Sequence, residues 1–406
     1  MPLAVYILGL SIFAQGTSEL MLAGLLTEIS SDLGVSVPRA GLLISAFAVG
    51  MLIGAPILAV VTQRWSRRNA LLIFLVIFVL AHAAAALTSD YWVLFGTRVV
   101  AAFVYAGFWA VAASTAVDLV AADARGRAMG IIAGGLTLAT VIGLPAGTLI
   151  GQHFGWRASF WAVAVLSVFA MAGVIAKVPR SRPHEVPQVR KELRALATGP
   201  VLMLYCTIML STAALLVTFG YLGALLIGTT RLSPGWVPVV LALYGLGSLG
   251  GIVIGGRTAD IHPMGSLAVG ITGVAVTSAL LALTARQPIA VGVLVFLLGA
   301  FGFGSNPTLN SRVFTLAPAA STLGAAGNVV SFNVGITIGP WLGGLAIGAG
   351  MGYPSVAWIG AALGVLAAVA VAWSYLLERG SRAADFPSGP TRPGTHRELN
   401  ESITNV

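Results

Sequence analysis

Charge is what this chain has least of. Of its 406 residues only 13 are Asp or Glu and 22 are Lys or Arg, 9% in all, against 57% hydrophobic residues and a mean hydropathy of +0.94. A soluble globular domain carries about 25% charged residues, so the composition excludes a water-soluble fold. Cysteine is almost absent as well. The single thiol, Cys206, falls in an apolar stretch, which excludes a disulfide framework or a cysteine-built metal cluster, and it is expected to pack as a small hydrophobe. Lysine is confined to Lys177 and Lys191, so 20 of the 22 basic residues are arginine. With abundant Ala, Gly and Val, that points to a GC-rich genome. No Gly-x-x-x-x-Gly-Lys-Ser/Thr phosphate loop occurs, so the chain is not expected to hydrolyse ATP. The histidines (His82, His153, His184, His262 and His396) are scattered, none with a second ligand one helical turn away. No metal, no cofactor and no enzymatic centre are therefore expected.

What the chain has in abundance is long apolar runs. Twelve recur, at about 3–26, 39–62, 70–87, 91–118, 127–150, 158–177, 200–227, 235–256, 264–285, 287–313, 321–347 and 353–377. Each approaches the roughly 20 residues that cross a bilayer as a helix, and together they leave no room for a soluble catalytic domain. The expected fold class is an all-α polytopic membrane protein. The first run begins directly after Met1 without a basic flank or a small-residue cleavage site, so it is expected to be retained as a span. Placing the amino terminus in the cytoplasm leaves only Arg39, Arg157, Arg231 and Arg286 on the outer side, Arg98 in the membrane and the other seventeen basic residues inside. That asymmetry is the positive-inside pattern. It predicts both termini in the cytoplasm and accounts for the net charge of +9 without a nucleic-acid partner.

The expected organisation is a six-helix half over 1–178, a cytoplasmic linker over 179–198 with a short amphipathic helix at Val189–Leu196, a second six-helix half over 199–377 and a disordered tail over 378–406. A shift of 197 residues lays the halves on each other. Gly50 falls on Gly247, Gly54 on Gly251, Gly107 on Gly304, Ser114 on Ser311 and Gly130 on Gly327; Gly147, Gly151, Gly155 and Trp161 fall on Gly344, Gly348, Gly352 and Trp358. Six spans per half give both the same orientation, a parallel repeat about an axis along the membrane normal, with a site expected between the halves.

Within the spans one acid and one base stand out. Glu19 has no other charge around it in the first span, and Arg98 lies in the fourth. A charge at the bilayer centre costs about 2.5–3.5 kcal/mol on insertion scales, so such residues face a cavity or each other. Each lies about seven residues from the outer end of its span, roughly 10 Å deep at about 1.5 Å per residue. A nearby cation favours the ionised carboxylate and loss of water favours the neutral one. A pair at matched depth could therefore couple proton binding to cavity opening. The plainer reading is a static pair joining two helices, or Arg98 reaching for the interface.

At Gly16-Thr-Ser-Glu-Leu-Met-Leu-Ala-Gly24-Leu-Leu and Ala40-Gly-Leu-Leu-Ile-Ser-Ala-Phe-Ala-Val-Gly-Met-Leu-Ile-Gly-Ala-Pro56, the chain resembles the major facilitator superfamily, in its twelve-helix drug:proton antiporter group. The resemblance spans all twelve helices. It is strongest toward a subgroup of sugar, purine-nucleoside and chloramphenicol exporters, and Met1–Pro56 is most similar to the actinomycete chloramphenicol-resistance exporters. It implies a monomeric secondary exporter in the inner (plasma) membrane, driven by the proton gradient, that moves chloramphenicol or related neutral antibiotics outward. Sugars or purine nucleosides are the alternative cargo. The bilayer, a small-molecule drug and protons would be its partners.

Three motifs carry further implications. The family loop Gly-x-Leu-Ala-Asp-Arg-x-Gly-Arg-Arg appears as Ala59-Val-Val-Thr-Gln63-Arg64-Trp65-Ser66-Arg67-Arg68, keeping Arg64, Arg67 and Arg68 but losing the aspartate; the repeat partner of Gln63, Asp260, retains it. This implies a charge latch weaker on the first half, unless the arginines only set topology. The family's Arg-x-x-Gln-Gly survives only as Arg98. The antiporter signature Gly-x-x-x-Gly-Pro-x-x-Gly-Gly is degenerate at Gly143, Pro145 and Gly147 and complete around Gly339, Pro340 and Gly343. Glycines four apart allow close helix approach and proline allows bending, which implies a rocking interface between the halves. Family analogy assigns the cavity to helices 1, 4, 7 and 10, with Tyr105, Trp109, Tyr205, Asn306 and Asn310 as lining residues and Asn333 added from helix 11. Aromatic walls with a few amides suit a neutral, partly aromatic molecule, although each of these residues taken singly is more often packing than a ligand contact.

Overall fold

The computed structural model describes residues 1–62, 65–121, 124–180, 198–316 and 321–384. Among the described residues twelve helices are long and apolar enough to cross a membrane: α1 (Leu3–Gly24), α2 (Val37–Leu58), α3 (Arg67–Leu87), α4 (Tyr91–Asp118), α5 (Arg125–Phe154), α6 (Trp156–Lys177), α7 (Gly199–Gly228), α8 (Pro234–Ala259), α9 (Pro263–Thr284), α10 (Pro288–Val313), α11 (Gly327–Gly348) and α12 (Pro354–Leu376). Their boundaries have local causes. Ser66 caps α3 by accepting from the Asn69 amide, and Asp90 caps α4 by accepting from the Val93 amide at 2.9 Å. Gly34, in the left-handed region at φ 61°, ends the short helix Leu26–Leu33 that follows α1. The helix carrying α12 runs on to Ala384, so the start of the tail expected to be disordered from 378 is helical. The linker expected over 179–198, including its amphipathic helix, lies almost wholly outside the described residues, as does the tail beyond 384. Cys206 is exposed on α7, contrary to the packed thiol expected.

Apolar side chains facing outward, Leu80, Phe169, Val269 and Leu283 among them, match a lipid-facing exterior. Where helices touch, glycine does the spacing, and the 197-residue repeat is written into those contacts. On α2, Gly50 and Gly54 lie against the backbone of Val99 and Phe103 on α4. On α8, Gly247 and Gly251 lie against the backbone of Phe296 and Ala300 on α10. Each partner is displaced by the same 197 residues.

Several helices are interrupted. α1 leaves α-helical geometry for a 3-10 turn at Met21–Gly24. α7 breaks at Tyr221 and α10 at Ser305, and α5 contains a π turn over Ala139–Gly143 just before Pro145. Pro145 has no N–H to give the carbonyl four residues earlier, which explains the loosened turn. The α1 and α7 breaks are repeat-related, since Gly24 maps onto Tyr221.

The halves meet along α2–α11 and α5–α8. Ser45 Oγ donates to the Thr337 carbonyl at 2.9 Å. Gly245 fits against the backbone of Thr140 and Val141, and Gly223 against the Ala23 carbonyl. Leu22, Leu25 and Leu26 share a core with Val217, Tyr221 and Leu225. These contacts gather toward the end of the bundle that carries Asp32. Toward the other end, which carries Asp118, the four central helices part: among the described residues α4 has no extensive contact with α7 or α10, and α1 meets α7 through its Met21–Gly24 turn.

Candidate functional site

The last regular turn of α1 places Glu19 deep in the first half, enclosed by the bundle but with a minor part of its surface accessible. Arg98, on α4, is 1% exposed. The two charges attract each other yet form no ion pair within 4.0 Å. The guanidinium is held elsewhere. Its Nη1 donates to Ser18 Oγ at 2.9 Å, and its Cζ lies 4.2 Å from the centre of the Phe47 ring on α2, a contact worth about 0.5–2 kcal/mol. Its Nε and Nη2 are buried without a protein partner, each such donor costing about 1–3 kcal/mol.

Behind Ser18 lies His82 of α3, also 1% exposed. Its Nδ1 is 2.8 Å from the Phe78 carbonyl and its Nε2 2.6 Å from Ser18 Oγ. A carbonyl only accepts, so Nδ1 carries the proton and, in the neutral ring, Nε2 accepts from the serine hydroxyl. The donors thus run from Arg98 to Ser18 to His82 to Phe78. One turn before Glu19 on the same face, Gln15 donates to the Ser11 carbonyl at 3.2 Å, and its Oε1 is buried without a partner.

Tyr105 is buried one side of this cluster, with its hydroxyl toward Gly16. Phe47 approaches it at 6.1 Å between ring centres, and the half-buried Trp109 meets it edge-on at 6.4 Å. The two aromatics share one face of α4, as their spacing requires. Tyr205 does not join them. It packs in the second half among Leu204, Ile208 and Leu267, faces Gly327, and donates to the Gly324 carbonyl at 3.2 Å; its hydroxyl is committed to the α7–α11 contact. Asn306 is half-buried just past the break in α10, and Asn310 is exposed and accepts from Asn328 of α11. Asn333 is buried, with its Nδ2 given to the Val329 carbonyl at 2.9 Å and its Oδ1 unpaired. The amides therefore line the second half, and the acid, the base and the aromatics line the first.

The family model of the Major Facilitator Superfamily matches residues 8–332. The chain belongs to the Major Facilitator Superfamily. A "chloramphenicol resistance protein" of Streptomyces lividans is 42% identical over 375 residues, 91% of this chain and 95% of that protein. A "probable sugar efflux transporter" of Pasteurella multocida is 29% identical, over 89% of this chain and 90% of its own length. The crystal structure of a peptide transporter, POT, in complex with sulfate superposes with a TM-score of 0.73 over 96% of each chain at 14% identity, a likeness of fold alone. This superfamily member is a multi-pass membrane transporter and not an enzyme.

The superfamily motifs fall in different places from those implied. Arg67, at the start of α3, is ion-paired with Asp118 at 2.5 Å at the end of α4, and Arg68 is half-buried beside it; Arg64, and the side chain of Asp260, lie outside the described residues. Of the signature glycines Gly344 lies near the Pro38 carbonyl of α2 across the halves, but four others face helices of their own half. Gly143 and Gly147 fit against Thr17 and Met21 of α1, while Gly339 and Gly343 fit against Ala213, Val217 and Tyr221 of α7. The motif tightens α5 and α11 onto helices of their own half, and Pro340 lends its carbonyl to Tyr221 at 2.9 Å. The junction between halves mainly uses other faces, at Thr140, Val141 and Thr337. The sequence assigns Ser18, His82, Phe47 and Gln15 no role at the site. For His82 a signal existed: it is the one histidine inside a predicted span, where ionisable residues mark function more often than packing.

Proposed function

We propose that this transporter exports chloramphenicol-like neutral antibiotics in exchange for protons, with Glu19 as the coupling carboxylate. The observation that carries this reading is a carboxylate inside a twelve-helix bundle, near a buried arginine yet unpaired with it. A closed ion pair would keep Glu19 charged throughout a cycle. Unpaired and only partly enclosed, it can take a proton from one side and release it to the other. The Asp118 end, where the central helices part, carries Arg67, Arg68, Arg125 and Arg127, so the positive-inside pattern assigns it and both termini to the cytoplasm. Drug then enters from the cytoplasm or the inner leaflet while Glu19 is ionised. Rocking about α2–α11 and α5–α8 opens the Asp32 end, and protonation of Glu19 there accompanies release.

Tyr105, Trp109 and Phe47 offer faces to an aromatic ring, and Asn306, Asn310 and Asn333 offer amides to hydroxyl and amide groups. Among the described residues Glu19 is the one acid placed with them, which favours neutral cargo. The relative named for chloramphenicol resistance supports the same cargo.

The test is accumulation of labelled chloramphenicol in susceptible cells, with and without a protonophore. Lowered accumulation that the protonophore reverses is expected, and Glu19→Gln should abolish it at unchanged membrane abundance. Active efflux by Glu19→Gln would exclude the coupling role. A sugar-efflux relative favours a second cargo: no effect on chloramphenicol, with protonophore-sensitive efflux of a labelled sugar or purine nucleoside, would reassign the substrate and leave the coupling intact.

A further inference from the structure

The hydroxyl of Ser18 breaks the habit of its helix. Ser11 and Thr17 on α1 each donate back to the carbonyl four residues earlier, at 2.9 and 2.8 Å, as do Thr62, Thr115, Thr148 and Ser167 elsewhere. That back-bond is the default for a hydroxyl on an apolar helix, because nothing else there accepts a proton. Ser18 instead reaches His82, sixty-four residues away. With its proton given to the imidazole, its lone pairs are left for Arg98 Nη1. His82 is itself fixed, by the Phe78 carbonyl and by the rings of Phe78 and Phe160 at 4.1 and 5.7 Å.

We propose that His82, acting through Ser18, is a positioning residue that holds the Arg98 guanidinium off Glu19 and so leaves the carboxylate free to exchange protons. This rests on the reading of Glu19 as the coupling group. Three holds act on Arg98: the Ser18 oxygen, the Phe47 face and the attraction of Glu19. Remove the first, and the remaining pull closes the guanidinium onto the carboxylate, because two of its nitrogens already lack partners. Other groups able to disturb the balance are few. From α4 come Arg98 and Tyr105, from α3 His82 behind Ser18, and from α2 only the Phe47 ring. α5 and α6 bring Leu136, Ala139 and Phe160 to this cluster, and the second-half residues packed against this end of α1 are Phe219, Tyr221 and Tyr244, none of them a carboxylate, an imidazole or a cation.

The experiment follows the carboxyl band of protonated Glu19 in infrared difference spectra of the purified full chain across pH, assigned by its loss in Glu19→Gln. Ser18→Ala and His82→Leu should move the midpoint of that band about one pH unit or more toward acid, the usual effect of a cation closing on a carboxylate. His82→Gln, whose amide oxygen can still accept from Ser18, should restore the wild-type midpoint. Ser18→Ala removes only a hydroxyl and carries the test if His82→Leu fails to reach the membrane. Midpoints unmoved in Ser18→Ala would overturn the proposal, as would a His82→Gln variant shifted as far as His82→Leu. This readout needs no substrate. Retained efflux by Glu19→Gln would defeat the coupling role, whereas an unmoved midpoint beside an inactive Glu19→Gln would defeat the relay alone.

Discussion

The two halves share a skeleton and almost no polar chemistry. Displaced by 197 residues, Gly50 and Gly54 meet α4 as Gly247 and Gly251 meet α10, backbone against backbone. The same displacement carries Ser18 to Leu215, Glu19 to Leu216, His82 to Ala279, Arg98 to Val295 and Tyr105 to Gly302. There Leu215 packs onto Gly302, and Phe219 stacks on Tyr244 with ring centres 4.4 Å apart. Both described ion pairs, Arg67–Asp118 and Arg157–Asp32, lie in the first half. Their repeat partners are Met264 with Thr315 and Pro354 with Thr229, and Met264 receives a contact from Arg312 Nη1 at 2.9 Å. Helix approach is thus a property of both halves, while the site's acid, base and histidine stand in the first alone, their repeat positions being Leu216, Val295 and Ala279.

The comparison can be broken hardest at the glycines. Gly54→Val and Gly251→Val would each drive a side chain into a backbone on the facing helix, an overpacking cost of about 1–3 kcal/mol or more. Equal loss of folded protein for the two, read as membrane abundance and melting temperature in detergent, is expected. A tolerated change in one half would show the repeat to be unequal. Arg67→Ala should act next, because Arg67 is almost buried and its loss leaves Asp118 unpaired at the junction of α3 and α4. We expect a lowered melting temperature, and a smaller drop for Met264→Ala at the matching point of the second half.

The smallest effect is expected at Asp32. Arg157 at 2.5 Å and the Trp156 indole at 3.0 Å hold its carboxyl below the ordinary carboxylate range, the indole hydrogen bond contributing most. A depressed value means that the contribution is present at neutral pH and is lost as pH falls below about 4. The pair is partly exposed, so about 0.2–1 kcal/mol is the scale. Asp32→Asn should lower the melting temperature slightly at pH 7 and by progressively less as pH falls below about 4. Pro354→Arg should confer no such pH dependence on the second half, where Thr229 offers no carboxylate.

The spans were legible because their signal is length and hydropathy. The predicted 91–118 coincides with α4, and 127–150 and 158–177 fall within a few residues of α5 and α6. The breaks at Met21, Tyr221 and Ser305 were not legible, since an apolar run reads alike whether or not its hydrogen-bond ladder is interrupted. Glu19 and Arg98 could be singled out and set at one depth from sequence. Their separation could not, because it depends on Ser18, His82 and Phe47, which three helices bring together. Tyr205 was misplaced for a related reason. Helical spacing names a face, but only the fold shows that Gly324 and Gly327 stand opposite it.

Much of the joint between halves is main chain. Gly245 rests on the backbone of Thr140 and Val141, Gly223 on the Ala23 carbonyl, and Ser45 holds the Thr337 carbonyl. A bearing built this way has few protruding side chains to unlock before one half can swing on the other. It also has little dependence on the identity of its neighbours. Cargo-facing residues can therefore change through descent while the pivot keeps its shape, so one mechanical chassis can be refitted for different cargoes provided its glycines stay bare.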